Sequence, residues 1–147
     1  MATILVLSGP NLNLLGEREP EIYGTATLDD LVGDVRAAVS AAGHDVEHVQ
    51  SNHEGELVDA VQGARGRCAA IIVNAGALTH YSYALADALA TYDGVAVELH
   101  ITNPASREPW RHLSVLAPVV TGTVAGFGRT GYRLAAEAAV AALAGTP

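Results

Sequence analysis

Lysine is absent from this chain of 147 residues, and all eight basic residues are arginines. That excludes a phosphate loop built around a lysine, a Schiff base to pyridoxal phosphate and any imine mechanism on a ketone. Cysteine is nearly absent too. Cys68 stands alone, so neither an internal disulfide nor a thiolate metal cage can form within one chain, and a cytoplasmic location is expected. No apolar run approaches the ~20 residues of a membrane span, and Met1-Ala2-Thr3 leads straight into a strand-like segment. An unexported protein with no membrane partner is expected. Sixteen acidic residues against eight basic ones give a net charge of -8. A surface of that sign repels phosphate backbones, so nucleic acid is not an expected partner.

Half of the residues are hydrophobic, enough for a real core in one domain spanning 1–147 and too few for two ordinary domains. Short aliphatic runs alternate with longer amphipathic stretches. The strand-like runs are Thr3 to Leu7, Val46 to Gln50, Ala69 to Val73, Val95 to Ile101 and Val119 to Ala125. The segment TLDDLVGDVRAAVSAAG offers Thr27 as a helix cap, Asp29 and Asp30 in the first turn where the helix dipole favours them, and Gly43 as a stop. EGELVDAVQGARG, SYALADALATYDG and GYRLAAEAAVAALAG read as helices in the same way. Five alternations with near-continuous apolar strands predict an α/β fold, a flavodoxin-like, doubly wound, five-stranded parallel sheet in the order 2-1-3-4-5.

In such a sheet ligands bind outside the carboxyl ends of the strands, and those loops collect the polar residues. Asn11, Arg18 and Tyr23 follow strand 1; Ser51, Asn52, His53 and Glu54 follow strand 2; Asn74, Gly76, Thr79 and His80 follow strand 3; His100, Thr102, Asn103, Arg107 and Arg111 follow strand 4. All are expected to converge on one rim.

Arg18 and Tyr23 share a loop bounded by glycine and proline. A free tyrosine ionises near pH ~10, and a permanent cation beside it favours phenolate, a general base. The competing reading is a surface loop whose arginine pairs with Glu17, Glu19 or Glu21. Asn11, after Gly9-Pro10, offers an amide to a developing oxyanion or caps its own turn. Alternation places Glu98 and His100 on one face of strand 4, which supports a general acid whose tautomer is fixed by Glu98 or by a backbone carbonyl; the competing reading is a satisfied, half-buried histidine. His80 either lies near a helix cap or holds a substrate hydroxyl. Arg107 and Arg111, four apart, share a face if the segment is a helical turn; they then suit a carboxylate or phosphate, or else they answer Glu108.

GFGRTG, Gly126 to Gly131, fits G-x-G-x-x-G but leaves no later strand for the ribose-binding acid, so it reads as a tight turn onto the last helix. The six histidines show no metal-ligand spacing, and no metal site is expected. Strand 1 is followed by Ser8-Gly9-Pro10-Asn11, not by the acidic residues of a phosphoacceptor receiver.

The blocks GPNLNLLGEREPEIYG, QSNHEGELVDAV, VNAGALTHYSYALADAL, VELHITNPASREPWRH and GFGRTGY together resemble the type II 3-dehydroquinases (3-dehydroquinate dehydratases). The resemblance covers nearly the whole chain. It implies reversible anti elimination of water from 3-dehydroquinate to 3-dehydroshikimate through an enolate in the shikimate pathway, without metal or cofactor, by a dodecamer built as a tetramer of trimers. By the same resemblance Tyr23 is the base, Arg18 favours its phenolate, Asn11 supports the enolate and His100 protonates the departing hydroxyl. Asn74, His80, Ile101, Thr102 and Arg111 match substrate-binding positions. Asp87 matches an aspartate that reaches a neighbouring subunit's site, Glu98 the partner acid and Arg107 a lid-associated arginine. The absence of lysine agrees independently, since the other dehydroquinase class forms an imine on lysine.

Ala75 stands where the family usually has proline, Leu78 and Tyr81 are atypical, Thr102 replaces a common serine, Ala105 and Leu113 replace frequent histidines, and Ser8 replaces a usual asparagine. These departures bear on affinity more than on reaction type. The alternative from another class is a flavodoxin-like module that binds a small carboxylate through Arg107 and Arg111 without turning it over.

Overall fold

Five parallel strands, β1 (Thr3–Ser8), β2 (Asp45–Gln50), β3 (Ala70–Asn74), β4 (Val95–His100) and β5 (Gly122–Ala125), form one sheet in the order β2-β1-β3-β4-β5. This is the order expected from the sequence. The helices are α1 (Pro20–Tyr23), α2 (Leu28–Ala41), α3 (Glu54–Ala64), α4 (Tyr83–Ala90) and α5 (Thr130–Leu143). The structure, a computed structural model, describes residues 1–145; the end of the expected domain, residues 146 and 147, lies outside the described residues.

Successive strand residues point to opposite faces of a sheet, and here both faces are covered. Ile4, Val6, Ala70, Ile72, Val97 and Leu99 pack with α2 and α5, while Leu5, Leu7, Ile71, Val73 and Ala96 pack with α3 and α4. That double burial explains why these strands read as continuous apolar runs instead of alternating. Each fully buried aliphatic side chain contributes roughly 1.5–3 kcal/mol, so the central strands anchor the sheet. Helix α2 begins as its sequence predicts. The Thr27 hydroxyl accepts from the Asp30 N–H at 3.2 Å, and the Asp30 carboxylate accepts from the Thr27 N–H at 3.0 Å.

Most strand ends lie within one residue of the expectation, and two larger differences stand out. β5 starts at Gly122 and not at Val119, because Ala117–Val119 forms a 3-10 turn around Pro118, whose missing N–H cannot join a ladder. Pro20–Tyr23, expected as loop, closes one helical turn; Pro20 at its start has the backbone angle a first helical residue needs.

From β1 the chain passes to one neighbour and from β3 to the other, which opens a crevice between the loops that follow them. Gly9 lies at this crossing. A Cβ at this position would sit 2.3 Å from the Ala75 carbonyl oxygen, a backbone atom with little freedom to yield. Gly9→Ala should therefore cost roughly 3 kcal/mol and lower Tm by about 10 °C. A thermal melt checks this; an unchanged Tm would mean the two loops are not in contact.

Candidate functional site

The crevice deepens into a cavity of about 280 Å³ whose wall carries side chains from the loops after β1, β3 and β4. From the first loop come Asn11, Arg18 and Tyr23. Asn11 has φ 69°, in the left-handed region that asparagine tolerates better than most residues. It stands at the start of the 3-10 turn Leu12–Leu14 but its side chain makes no capping bond, so the amide remains available to the cavity. Its backbone N–H donates to Asn52 Oδ1 at 3.0 Å. Asn52 is thus tied to the site through the Asn11 backbone without lining the cavity, and Ser51, His53 and Glu54 do not line it either.

Two guanidinium groups face the Tyr23 ring. Arg18 lies 4.8 Å and Arg107 5.2 Å from its centroid. Arg18 also donates to Glu19 at 3.2 Å, the pairing of the competing reading, while its guanidinium stays over the ring. Placing Arg107 against Tyr23 joins the β4 loop to the β1 loop, a contact the sequence did not reveal.

His100 ends β4 and is 9% exposed, and Glu98 behind it is 1% exposed. As alternation predicted, they share a face and meet: the Glu98 carboxylate accepts from His100 Nε2. The other Glu98 oxygen accepts from the Ser114 hydroxyl at 3.0 Å. His80, on the 3-10 turn Gly76–His80, donates from Nδ1 to the Leu113 carbonyl at 2.7 Å, which leaves its Nε2 as an acceptor. Burial holds the His80 imidazole below the ordinary histidine range, opposed by its bond to Leu113; near neutral pH it is an uncharged acceptor.

Asn74 is fixed from two sides. Its Oδ1 accepts from the Gly76 N–H at 3.3 Å, and its Nδ2 donates to the Tyr132 hydroxyl at 3.1 Å. Tyr132 is fully buried and burial pushes its phenol up to about 12, so it is a neutral hydroxyl. The motif GFGRTGY therefore does more than turn the chain. The Gly126 and Gly128 N–H groups donate to the carbonyls of His100 and Ile101, and Tyr132 props Asn74.

Arg107 and Arg111 both line the cavity, but not on one helical turn. Two 3-10 turns, Pro104–Ser106 and Pro109–Arg111, are separated by Arg107 in extended conformation and Glu108; Pro109 excludes helical geometry at the residue before it. Glu108 lies between the two arginines, 3.6 Å from Arg107 and 3.2 Å from Arg111. Its own backbone N–H, then Arg111, hold its carboxyl below the usual carboxylate range. Arg107 also donates to Thr102 Oγ1 at 3.2 Å, a contact that the serine-to-threonine departure preserves. The Leu113 departure is similarly mild, since the group holding His80 is a backbone carbonyl.

Ile101, Thr102 and His80 complete the predicted set on the cavity wall. Asp87 and Glu98 are the exceptions: Asp87 lies exposed on α4, Glu98 is buried behind His100, and neither lines this cavity. The sequence reading missed Trp110, which lines the cavity, meets His80 edge-on at 5.5 Å and carries the Arg111 guanidinium 3.9 Å from its ring centroid. Ser114 and Tyr132 were missed as well; only Tyr132 carried a signal, its place in a quoted motif. No cluster of three or more potential metal ligands occurs among the described residues, and no helix among them is long and apolar enough to cross a membrane.

Three arginines, a phenol and a histidine backed by a carboxylate thus converge on one cleft of an acidic chain. Such a cleft draws in an anion while the rest of the surface repels it. A model of the family described as dehydroquinase class II matches residues 2–140. A 3-dehydroquinate dehydratase of Roseiflexus castenholzii is 52% identical over 134 residues, covering 91% of this chain and 85% of that protein. A catabolic 3-dehydroquinase of Aspergillus clavatus is 47% identical over 135 residues, covering 92% of this chain and 90% of that protein. The crystal structure of a type II dehydroquinase from Propionibacterium acnes superposes with a TM-score of 0.90 at 42% identity, covering 95% of this chain and 97% of that one.

Proposed function

This chain belongs to the dehydroquinase class II family, and we propose that its cleft interconverts 3-dehydroquinate and 3-dehydroshikimate by anti elimination of water through an enolate. The observation that carries this reading is the convergence of Tyr23, flanked by Arg18 and Arg107, with His100 and Glu98 across one cavity. The Tyr23 phenolate, facing two fixed positive charges, takes the proton from the carbon beside the ketone. The C–H pair shifts toward the carbonyl, and the resulting enolate oxygen accepts from the Asn11 amide. When the carbonyl re-forms, the carbon–carbon double bond appears, the C–O bond breaks, and the leaving hydroxyl takes a proton from His100 and departs as water. The cycle ends with Tyr23 protonated and His100 neutral, and exchange with solvent resets both. Glu98 supplies the charge partner for the protonated imidazole.

Arg111, Asn74, His80, Thr102 and the Ile101 backbone hold the substrate carboxylate and hydroxyls in this reading. An arginine fork on a carboxylate forms charge-assisted bonds, so Arg111→Ala should raise KM about 10- to 100-fold with a smaller change in kcat. Initial rates over a wide substrate range check this, and an unmoved KM would take Arg111 out of the binding set.

The cleft needs no metal or cofactor in this scheme, because every proton has a donor or acceptor among these side chains. Residues 1–147 act as one domain in the shikimate pathway in the cytoplasm. Assembly as a dodecamer, a tetramer of trimers, would give Asp87 its role at a neighbouring subunit's site. Supporting this, Tyr83 and Asp87 stand four apart on α4 and both are exposed, so one helix face offers an aromatic ring and a carboxylate together. Mass spectrometry of 3-dehydroquinate incubated with the protein tests the activity: a product lighter by one water is expected, and unchanged substrate would overturn it.

A further inference from the structure

The geometry points to Ser114 as a positioning residue for the proton donor, acting through Glu98 on His100. This rests on the reading of His100 as the acid. A serine hydroxyl has one proton and two lone pairs. At Ser114 both lone pairs are engaged, by the Leu116 N–H at 3.2 Å and the Ala117 N–H at 3.0 Å. The single proton is thereby directed to the remaining partner, Glu98 Oε1, at 3.0 Å. With Oε1 held, the carboxylate cannot swing about its terminal bond, and its second oxygen stays on His100 Nε2. The imidazole is then fixed in one orientation and one tautomer, with Nδ1 as the nitrogen left for the substrate.

The loop that carries Ser114 is itself pinned on both sides. The Leu113 carbonyl accepts from His80 Nδ1 at 2.7 Å, and the Val115 N–H donates to the Thr79 carbonyl at 2.8 Å. The position of the serine is therefore set by the same turn that carries His80 to the cavity. One short loop links the two histidines, whose rings stack with centroids 6.5 Å apart.

A capping serine would also accept from the N–H groups two and three residues on, so the experiment must separate capping from positioning. Ser114→Ala should lower kcat about tenfold while KM moves less than about twofold, since the bond to Glu98 matters when the proton is transferred and not when substrate docks. Ser114→Thr, which keeps the hydroxyl, should restore most of kcat. In a double-mutant cycle, Ser114→Ala should have no further effect on kcat once His100→Asn has removed the acid. A wild-type kcat in Ser114→Ala would overturn the proposal. So would an equal tenfold loss in the His100→Asn background, the additivity expected of a mere cap. If His100→Asn itself keeps wild-type turnover, it is the reading of His100 that fails.

Discussion

Tyr23→Phe should lower kcat by about three orders of magnitude or more while leaving substrate affinity within a few-fold of wild type. The substitution removes one oxygen and keeps the ring. The packing of Tyr23 against the core that includes Leu12 and Leu28 is therefore retained. So is the attraction of Arg18 and Arg107 for the aromatic face. What is lost is the only phenolic oxygen on the cavity wall among the described residues; the chain has no lysine, and no carboxylate among the described residues lines the cleft to take over as base. Calorimetric titration with substrate beside a turnover assay separates the two effects. A variant that binds and still turns over at near the normal rate would remove Tyr23 from the mechanism.

His100→Asn should lower kcat by about 10²- to 10³-fold. Alanine is a poorer probe at this position, because it would leave the Glu98 charge, 1% exposed, without its main partner, and a buried charge deprived of its partner can cost about 3–5 kcal/mol. Asparagine keeps an N–H for Glu98 and cannot act as an acid. The assignment therefore predicts a catalytic loss without a comparable loss of stability, read from kcat and from a thermal melt on the same sample. A kcat within a few-fold of wild type would leave the departing hydroxyl to another donor.

The two substitutions act on opposite ends of the proposed elimination, and that geometry was partly legible in the sequence. Near-continuous apolar runs at β1, β3 and β4 announced a doubly covered parallel sheet, since a strand buried on both faces leaves few polar positions. The strand order then placed the loops after β1, β2, β3 and β4 at one rim, of which the β2 residues Ser51 to Glu54 do not reach the cavity wall. Glu98 and His100 were paired by the two-residue period of a strand alone. Local chemistry could not reveal bonds between distant segments. Tyr132 reaches Asn74 across 58 positions, and nothing near either residue names the other. Ser114 is an unremarkable residue until the loop folds back on Glu98. Trp110 and the approach of Arg107 to Tyr23 depend in the same way on how the β4 loop closes over the β1 loop. The even spacing of Arg107 and Arg111 suggested a helix that Pro109 forbids, although the folded loop still delivers both to the cavity.

In the proposed mechanism the side chains of this cleft suffice for the dehydration of 3-dehydroquinate. The most direct measurement follows the ultraviolet absorbance of the conjugated enone after 3-dehydroquinate is added to protein dialysed against a chelator. A steady rise proportional to enzyme concentration, undiminished by the chelator, is the result expected. A flat trace with protein and substrate at equal concentration, or a rise that returns only when a metal ion is restored, would contradict it.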